Sequence, residues 1–252
     1  GQVAVVLENS GLLKGKIELQ HELARQAQMA QLGEMTARIA HEIKNPLSAI
    51  KTIIQLMQED PTLRPRYSRD LELINSEVDR LGNTVMQLLD FARPGRDEQE
   101  AVGLWEAADA ALRFLDHDLH HDGIVAENEI PKNLPPVSGS LSAFREIFLN
   151  LILNSIQAGG KGTRLWLQAW EGVLEDGSER FVLLVVEDDG PGIPVDHQAQ
   201  VFIPFFTTKQ RGTGLGLAIV KRDVEHMGGI ITLESPARAD RGTRFLIHLP
   251  LR

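Results

Sequence analysis

Asn150 and Asn154 stand four residues apart, so on a helix they share one face with Glu146. Side-chain amide carbonyls in that arrangement can hold a hard divalent cation against phosphates. Further along, the apolar run Val185-Val186 leads through Glu187 into Asp188-Asp189-Gly190-Pro191-Gly192-Ile193-Pro194, a strand entering an acidic, glycine-rich turn. Asp188 can accept a hydrogen bond from an exocyclic amine, and Gly190 and Gly192 let backbone approach a flat ring. Next come Pro204-Phe205-Phe206-Thr207-Thr208-Lys209 and then Gly212-Thr213-Gly214-Leu215-Gly216-Leu217-Ala218-Ile219-Val220. A glycine-rich loop that opens a helix suits phosphate, which its backbone amides and the helix dipole both favour. Each run alone has a bland reading: asparagines as polar surface, Asp-Gly-Pro-Gly as a turn, Gly-x-Gly as a common loop. Their order and spacing together are what is hard to obtain by chance.

Elements to position these residues are visible in the pattern. Helices are expected near 104–120, 141–158 and 214–228, and strands at 164–170, 181–187, 230–234 and 243–249. That mixture implies helices layered on one sheet, an α+β unit. The first hundred residues differ. Leu32, Met35, Ile39, Ile43, Ile50, Ile53 and Met57 recur at steps of three, four or seven, and Leu71, Ile74, Val78, Leu81, Val85, Leu88 and Ala92 do the same. Asp60-Pro61-Thr62-Leu63-Arg64-Pro65 separates the two helices and Pro94-Gly95 stops the second. A hairpin of two such helices buries one face of each, so pairing two hairpins into a four-helix bundle, and hence a homodimer, is the economical solution. Leu23, Ala30 and Ala37 repeat every seven residues, a coiled-coil lead-in.

Composition narrows the possibilities. The chain has 252 residues, 42% apolar and 24% charged, which fits two ordinary globular domains and excludes a disordered or collagen-like chain. Its 26 basic and 35 acidic residues leave a net charge of −9, which argues against nucleic acid as a partner but leaves small anions possible. No apolar run reaches the roughly 18 residues of a membrane span, so no membrane contact is expected of this segment and a cytoplasmic placement is. The absence of cysteine removes thiolate chemistry and disulfides.

The four runs of the second domain resemble the ATP-binding domain shared by sensor histidine kinases, type II topoisomerases, mismatch-repair ATPases and a heat-shock chaperone, the Bergerat fold. The first domain distinguishes among these. His41-Glu42-Ile43-Lys44-Asn45-Pro46-Leu47 resembles the phosphoacceptor box of two-component sensor histidine kinases. His41 falls two residues past Ile39, about 200° around the helix from the apolar stripe, and is expected to face solvent as a nucleophile. The likeness covers about 30 to 252 and implies a division into residues 1–30, the end of a PAS-like input domain with its signalling helix; 31–95, a dimerisation and phosphotransfer domain; and 96–252, a catalytic ATP-binding domain. The run Val3 to Leu7 resembles the last strand of such a PAS domain.

The resemblance implies ATP and Mg²⁺ as ligands, with Asn154 chelating the metal, Asn150 beside it, Asp188 reading the adenine amino group, and Gly190 and Gly192 shaping that pocket. Thr208, Lys209, Arg211, Gly212, Thr213, Gly214, Leu215 and Gly216 would form the lid over the phosphates, short as in nitrogen-regulation-type kinases. His41 would take the γ-phosphoryl group, Glu42 the proton of its other ring nitrogen, and an aspartate of a response-regulator receiver domain would receive the phosphate. Asn45, one turn past His41, would serve a phosphatase activity toward that regulator. Hydrolysing relatives carry a glutamate four residues before the metal asparagine, where this chain has Asn150, so futile ATP hydrolysis should be slow. Ser140, Asp189 and Ser155 depart from the family pattern, Ser155 standing in place of an alanine. Two rivals of other classes are a nucleotide-binding scaffold without transfer and a hydrolysing ATPase clamp. His117, His120 and His121 among Asp116, Asp118 and Asp122 suggest a metal less well than a polar helix end before Gly123. Trp105, Trp166 and Trp170 are read as core or interface residues, and His197, His226 and His248 as structural.

Overall fold

A computed structural model describes residues 43–60, 64–92, 100–173, 180–209, 212–238 and 240–251. The expected strand at 3–7, the coiled-coil lead-in, His41, Glu42 and Arg211 lie outside the described residues. The chain divides into two compact units, Gly1–Pro94 and Gly95–Arg252.

In the first unit, helix α1 spans 43–59 and helix α2 spans Arg64–Ala92. Pro65 sits in the first turn of α2, where its missing N–H is not needed. Ile54, Leu71 and Val78 form the buried seam, with Leu47 and Met57 packed against it. Of the expected stripes, Leu71, Val78 and Met57 enter this seam, while Ile43, Ile50 and Ile53 on α1 and Ile74 and Leu81 on α2 are exposed in the single hairpin, together with Leu56 and Leu73. Of the adjacent pair, Ile53 is 56% exposed and Ile54 only 4%. Apolar side chains cover more than the face one neighbouring helix can bury, so the periodicity marks a wide band and not its centre line. Lys51 Nζ reaches Asp79 Oδ1 across the hairpin at 2.6 Å, and with both side chains nearly half exposed this pair contributes at most about 1 kcal/mol.

The second unit is a two-layer sandwich. A five-stranded mixed sheet has the order β2-β4-β5-β7-β6, with β2 (Val125–Asn128), β4 (Arg164–Val173), β5 (Arg180–Asp188), β6 (Ile230–Glu234) and β7 (Thr243–Pro250). β2 runs parallel to β4 and the other pairs are antiparallel. β1 (Glu100–Val102) and β3 (Val137–Gly139) form a separate antiparallel pair. Helices α3 (Leu104–Phe114), α5 (Leu141–Gly159) and α7 (Gly216–His226) carry the other layer, with α5 packed between α3 and α7. The short helices α4 (Asp116–His121) and α6 (Val195–Gln198) complete it. The helix expected over 104–120 is therefore two, broken at Leu115, and β1, β2 and β3 are too short to show as sequence runs.

Helix α5 is the spine of this unit. Its Phe144, Ile147, Phe148, Leu151 and Ile152 are fully buried, against a sheet face that includes Leu165, Leu167, Val182, Leu184, Val186 and Ile247. Apolar positions nearly all round a helix demand cover on several sides, which places α5 centrally. Ser140 caps it, its hydroxyl accepting from the Ala143 amide at 3.3 Å. Among the described residues no helix is long and apolar enough to cross a membrane.

Candidate active site

The C-terminal half of α5 meets the end of β5. Asp188 is the last residue of β5, and its carboxylate turns toward the helix: Ser155 Oγ donates to Oδ2 at 2.9 Å and the Gly190 amide to Oδ1 at 3.0 Å. Burial pushes this carboxyl above its ordinary value; the hydrogen bonds from Gly190, Ser155 and the Thr243 backbone oppose that rise, while neighbouring Asp189 adds to it. The other two acids of the run have separate partners. Glu187 binds Arg238 and Arg244 on the sheet face away from the helices, and Asp189 accepts from the Arg164 amide at 2.7 Å. Consecutive strand residues point to opposite faces, so only the middle acid is turned toward α5.

The turn after Asp188 is fitted to its surroundings. A Cβ on Gly190 would stand 2.8 Å from Asp188 Oδ1 and 3.3 Å from the Gly159 Cα, and Gly192 adopts φ +80°. The β6–β7 connection braces the turn: the Gly242 amide donates to the Gly190 carbonyl at 2.9 Å, and Ser235 Oγ accepts from the Ile193 amide at 2.7 Å. A Cβ on Gly242 would come within 2.6 Å of the Asp188 carbonyl. These contacts escape sequence reasoning. The signal that was available is the Gly-Thr pair, Gly242-Thr243, heading a strand.

Beside Ser155 on α5, Asn154 and Gln157 meet Lys209. Lys209 Nζ donates to Asn154 Oδ1 at 3.1 Å and to Gln157 Oε1 at 2.8 Å. These are neutral amide oxygens, and burial lowers the lysine's affinity for its proton. Asn150 donates its Nδ2 to the Glu146 carbonyl at 3.0 Å, which turns Oδ1 outward, and a Cβ on Gly216 would stand 2.8 Å from that oxygen. The first residue of α7 therefore lies against Asn150, and no side chain caps the N-terminus of α7. Uncapped amides at a helix start and a cation on neutral partners are groups able to receive an anion.

The segment joining these parts is tied at both ends. The Phe205 amide donates to the Gly214 carbonyl at 2.9 Å, and Gly214 at φ +68° could carry no Cβ, since Phe205 backbone stands 2.4 Å away. Phe205 itself has φ +67°, a conformation that costs a bulky residue free energy. Thr207 Oγ1 accepts from the Lys209 amide, Thr213 Oγ1 from the Leu215 amide, Gly212 is partly exposed, and Thr208 is exposed without entering the cluster. On the first unit, Asn45 is exposed on α1.

Three other readings resolve. The histidines of α4 form no cluster of three or more metal-ligating groups among the described residues, and His120 bonds the Asp116 carbonyl at 2.8 Å within its own helix. His197 lies edge-on to Phe206 and His248 packs on Phe181. Trp166 is buried under Arg238, whose guanidinium stands 3.9 Å from the ring centroid, and Trp105 packs against the core beneath Lys132. Trp170 is not a core residue, being 46% exposed on the outer sheet face.

Residues 31–96 match the His Kinase A (phospho-acceptor) domain, and residues 139–252 match the histidine kinase-, DNA gyrase B- and HSP90-like ATPase. A solved mycobacterial sensor histidine kinase, MprB, is 30% identical, with 97% of that chain and 60% of this one covered at a TM-score of 0.52. The chain belongs to the two-component sensor histidine kinases. The sensor histidine kinase ZraS of Escherichia coli is 33% identical over 95% of this chain and 50% of its own length. The histidine kinase ThkA, solved in complex with the response regulator protein TrrA, is 26% identical with a TM-score of 0.62, covering 92% of this chain and 66% of that one. The chain spans about a third to a half of the length of the curated relatives it matches. Ser155 places a buried hydroxyl on the aspartate of the site.

Proposed function

We propose that this chain is the core of an ATP-dependent protein-histidine kinase that phosphorylates His41 and passes the phosphoryl group to an aspartate of a response-regulator receiver domain. The observation that carries the ATP site is the Lys209 ammonium on Asn154 Oδ1, beside an α7 start that lies against Asn150. In this reading Asp188 accepts from the adenine amino group in the pocket shaped by Gly190 and Gly192. Lys209, Arg211 and the amides from Gly212 to Gly216 receive the phosphates.

Magnesium fits the same place. A cation already rests on Asn154 Oδ1, and neutral oxygen donors suit a small hard cation that keeps several waters. Mg²⁺ held by Asn154 would neutralise charge developing on the phosphates. Asn150 is an amide with its nitrogen committed to the Glu146 carbonyl, so it cannot take a proton from water and hydrolysis has no base there.

At His41 a ring nitrogen, Nε2 by resemblance, forms a bond to the γ-phosphorus as the bond to the ADP oxygen breaks, while Glu42 receives the proton of Nδ1. Positioning and charge compensation supply most of the acceleration in such transfers. Incubation with γ-labelled ATP tests the reading. Acid-labile, alkali-stable label on the protein is expected; free phosphate alone would mean an ATPase, and neither would mean a scaffold.

The exposed Ile43, Ile50, Ile53, Ile74 and Leu81 support a homodimer in which a second hairpin completes a four-helix bundle. A cytoplasmic setting follows from an ATP-consuming reaction. Phosphatase activity toward the phosphorylated regulator is the finest part of the proposal and rests on Asn45, exposed on α1 and four residues past His41 in sequence. Its amide offers a donor and an acceptor, enough to align a water with an aspartyl phosphate. Asn45→Ala should keep most autophosphorylation and lose regulator dephosphorylation in the presence of ADP. If the residue only relieves the helix ahead of Pro46, both activities will fall together or neither will.

A further inference from the structure

Ser155 lies on α5 next to Asn154, is 2% exposed, and stands where the resemblance expects an alanine. Its hydroxyl could have been satisfied within the helix, where the Leu151 carbonyl lies 3.3 Å away. The shorter contact is to Asp188 Oδ2, at 2.9 Å across 33 residues of sequence. A hydroxyl hydrogen can serve only one of these well, and a carboxylate is the stronger acceptor.

We propose that Ser155 is a positioning residue for base recognition: its hydroxyl fixes the rotation of the Asp188 carboxylate and favours the acceptor-only form of the group that faces the base. This rests on the ATP reading above. An ionised carboxylate can take a hydrogen bond from an amino-purine, whereas the protonated acid would present a donor and admit a 6-oxo-purine. The environment makes ionisation the point at risk. Burial raises the carboxyl's proton affinity, and Asp189 next to it does the same. Asp189 is itself held by Arg164 and Arg241, both at 3.5 Å. Against this act the amides of Gly190 from the turn and Thr243 from β7, and the Ser155 hydroxyl from α5. The two amides belong to the backbone. The hydroxyl is the side-chain contribution, and removing it takes one donor from a buried charge.

The test uses the whole chain as Ser155, Ser155→Cys and Ser155→Ala, a series of donor, weak donor and none. Two quantities are followed from pH 5 to 8: the Asp188 carboxyl carbon resonance without nucleotide, assigned by its loss in Asp188→Asn, and the affinities for ATP and inosine triphosphate by calorimetry. The triphosphate's own titration is common to all three proteins. The Ser155→Ala titration midpoint should move up, with Ser155→Cys between, and ATP affinity at pH 6 should fall up to about tenfold further than at pH 8. Preference for ATP over the inosine nucleotide should narrow in the same pH range. A uniform loss at every pH with an unmoved midpoint would mean that Ser155 only packs or bonds its own helix, and the proposal would be wrong. A wild type that binds neither nucleotide would overturn the ATP reading, and the base-recognition role with it.

Discussion

Replacing His41 by glutamine should abolish phosphoprotein formation completely while ATP still binds. The argument is one of chemistry and of elimination. The chain has eight histidines, and those described elsewhere are otherwise engaged or lack a phosphoacceptor setting. His120 and His121 bond Asp116 and Asp122 on α4, and His197 and His248 pack on phenylalanine rings. His41 alone is followed by Glu-Ile-Lys-Asn-Pro, with a carboxylate to accept the second ring proton. Glutamine matches the histidine in polarity and helix tolerance but offers no basic nitrogen to attack phosphorus. Label from γ-labelled ATP should drop to background, and calorimetry should return an affinity for ADP within about twofold of wild type. Acid-labile label surviving in this variant would show that another histidine is the acceptor.

Asp188→Asn should cost ATP affinity at least about 100-fold and leave the fold no less stable. The amide would present an N–H₂ where the adenine amine needs an acceptor, so the pocket would lose its charged partner and gain a clash of donors. Stability should respond in the opposite direction. The folded protein holds the Asp188 proton more tightly than the unfolded chain does, because burial disfavours the charge. By linkage, that contribution is fully favourable below the unfolded value of about 3.8 and is lost as pH rises through the higher folded one. The nucleotide-free variant carries no such charge, so its melting temperature relative to wild type should rise over that window and then level off. The Ser155 hydroxyl can turn to the Leu151 carbonyl, which limits the cost of the exchange. A variant that melts well below wild type at pH 7 without nucleotide would mean that Asp188 is mainly a structural residue.

The sequence by itself determined what local sterics and periodicity control. Asn150 and Asn154 share a face with Glu146 because a helix turns once in 3.6 residues, and the bond from Asn150 to the Glu146 carbonyl is the direct consequence. The passage from β5 into a glycine turn was legible because such a turn needs Gly192 at positive φ, and the glycine run ahead of α7 was legible because Gly214 takes positive φ there. Ser140 as the cap of α5 follows from hydroxyl chemistry at one position.

Tertiary structure decided what depends on register and on competition between faces. Asp188 meets Thr243 because β5 pairs with β7 in one register, set by the apolar alternation of both strands over their whole length. That register delivers Gly242 to the Gly190 carbonyl and Ser235 to the Ile193 amide, more than 40 residues away in sequence, and no local pattern encodes such a distance. Ser155 read as a departure from a family pattern until the packing of α5 on the sheet carried it to Asp188. On α1, periodicity picked out Ile53, and the helix packed beside it buried the neighbouring Ile54 and left Ile53 exposed. Trp170 shows the same limit on a strand, where alternation separates two faces but only the layer of helices determines which one becomes the core.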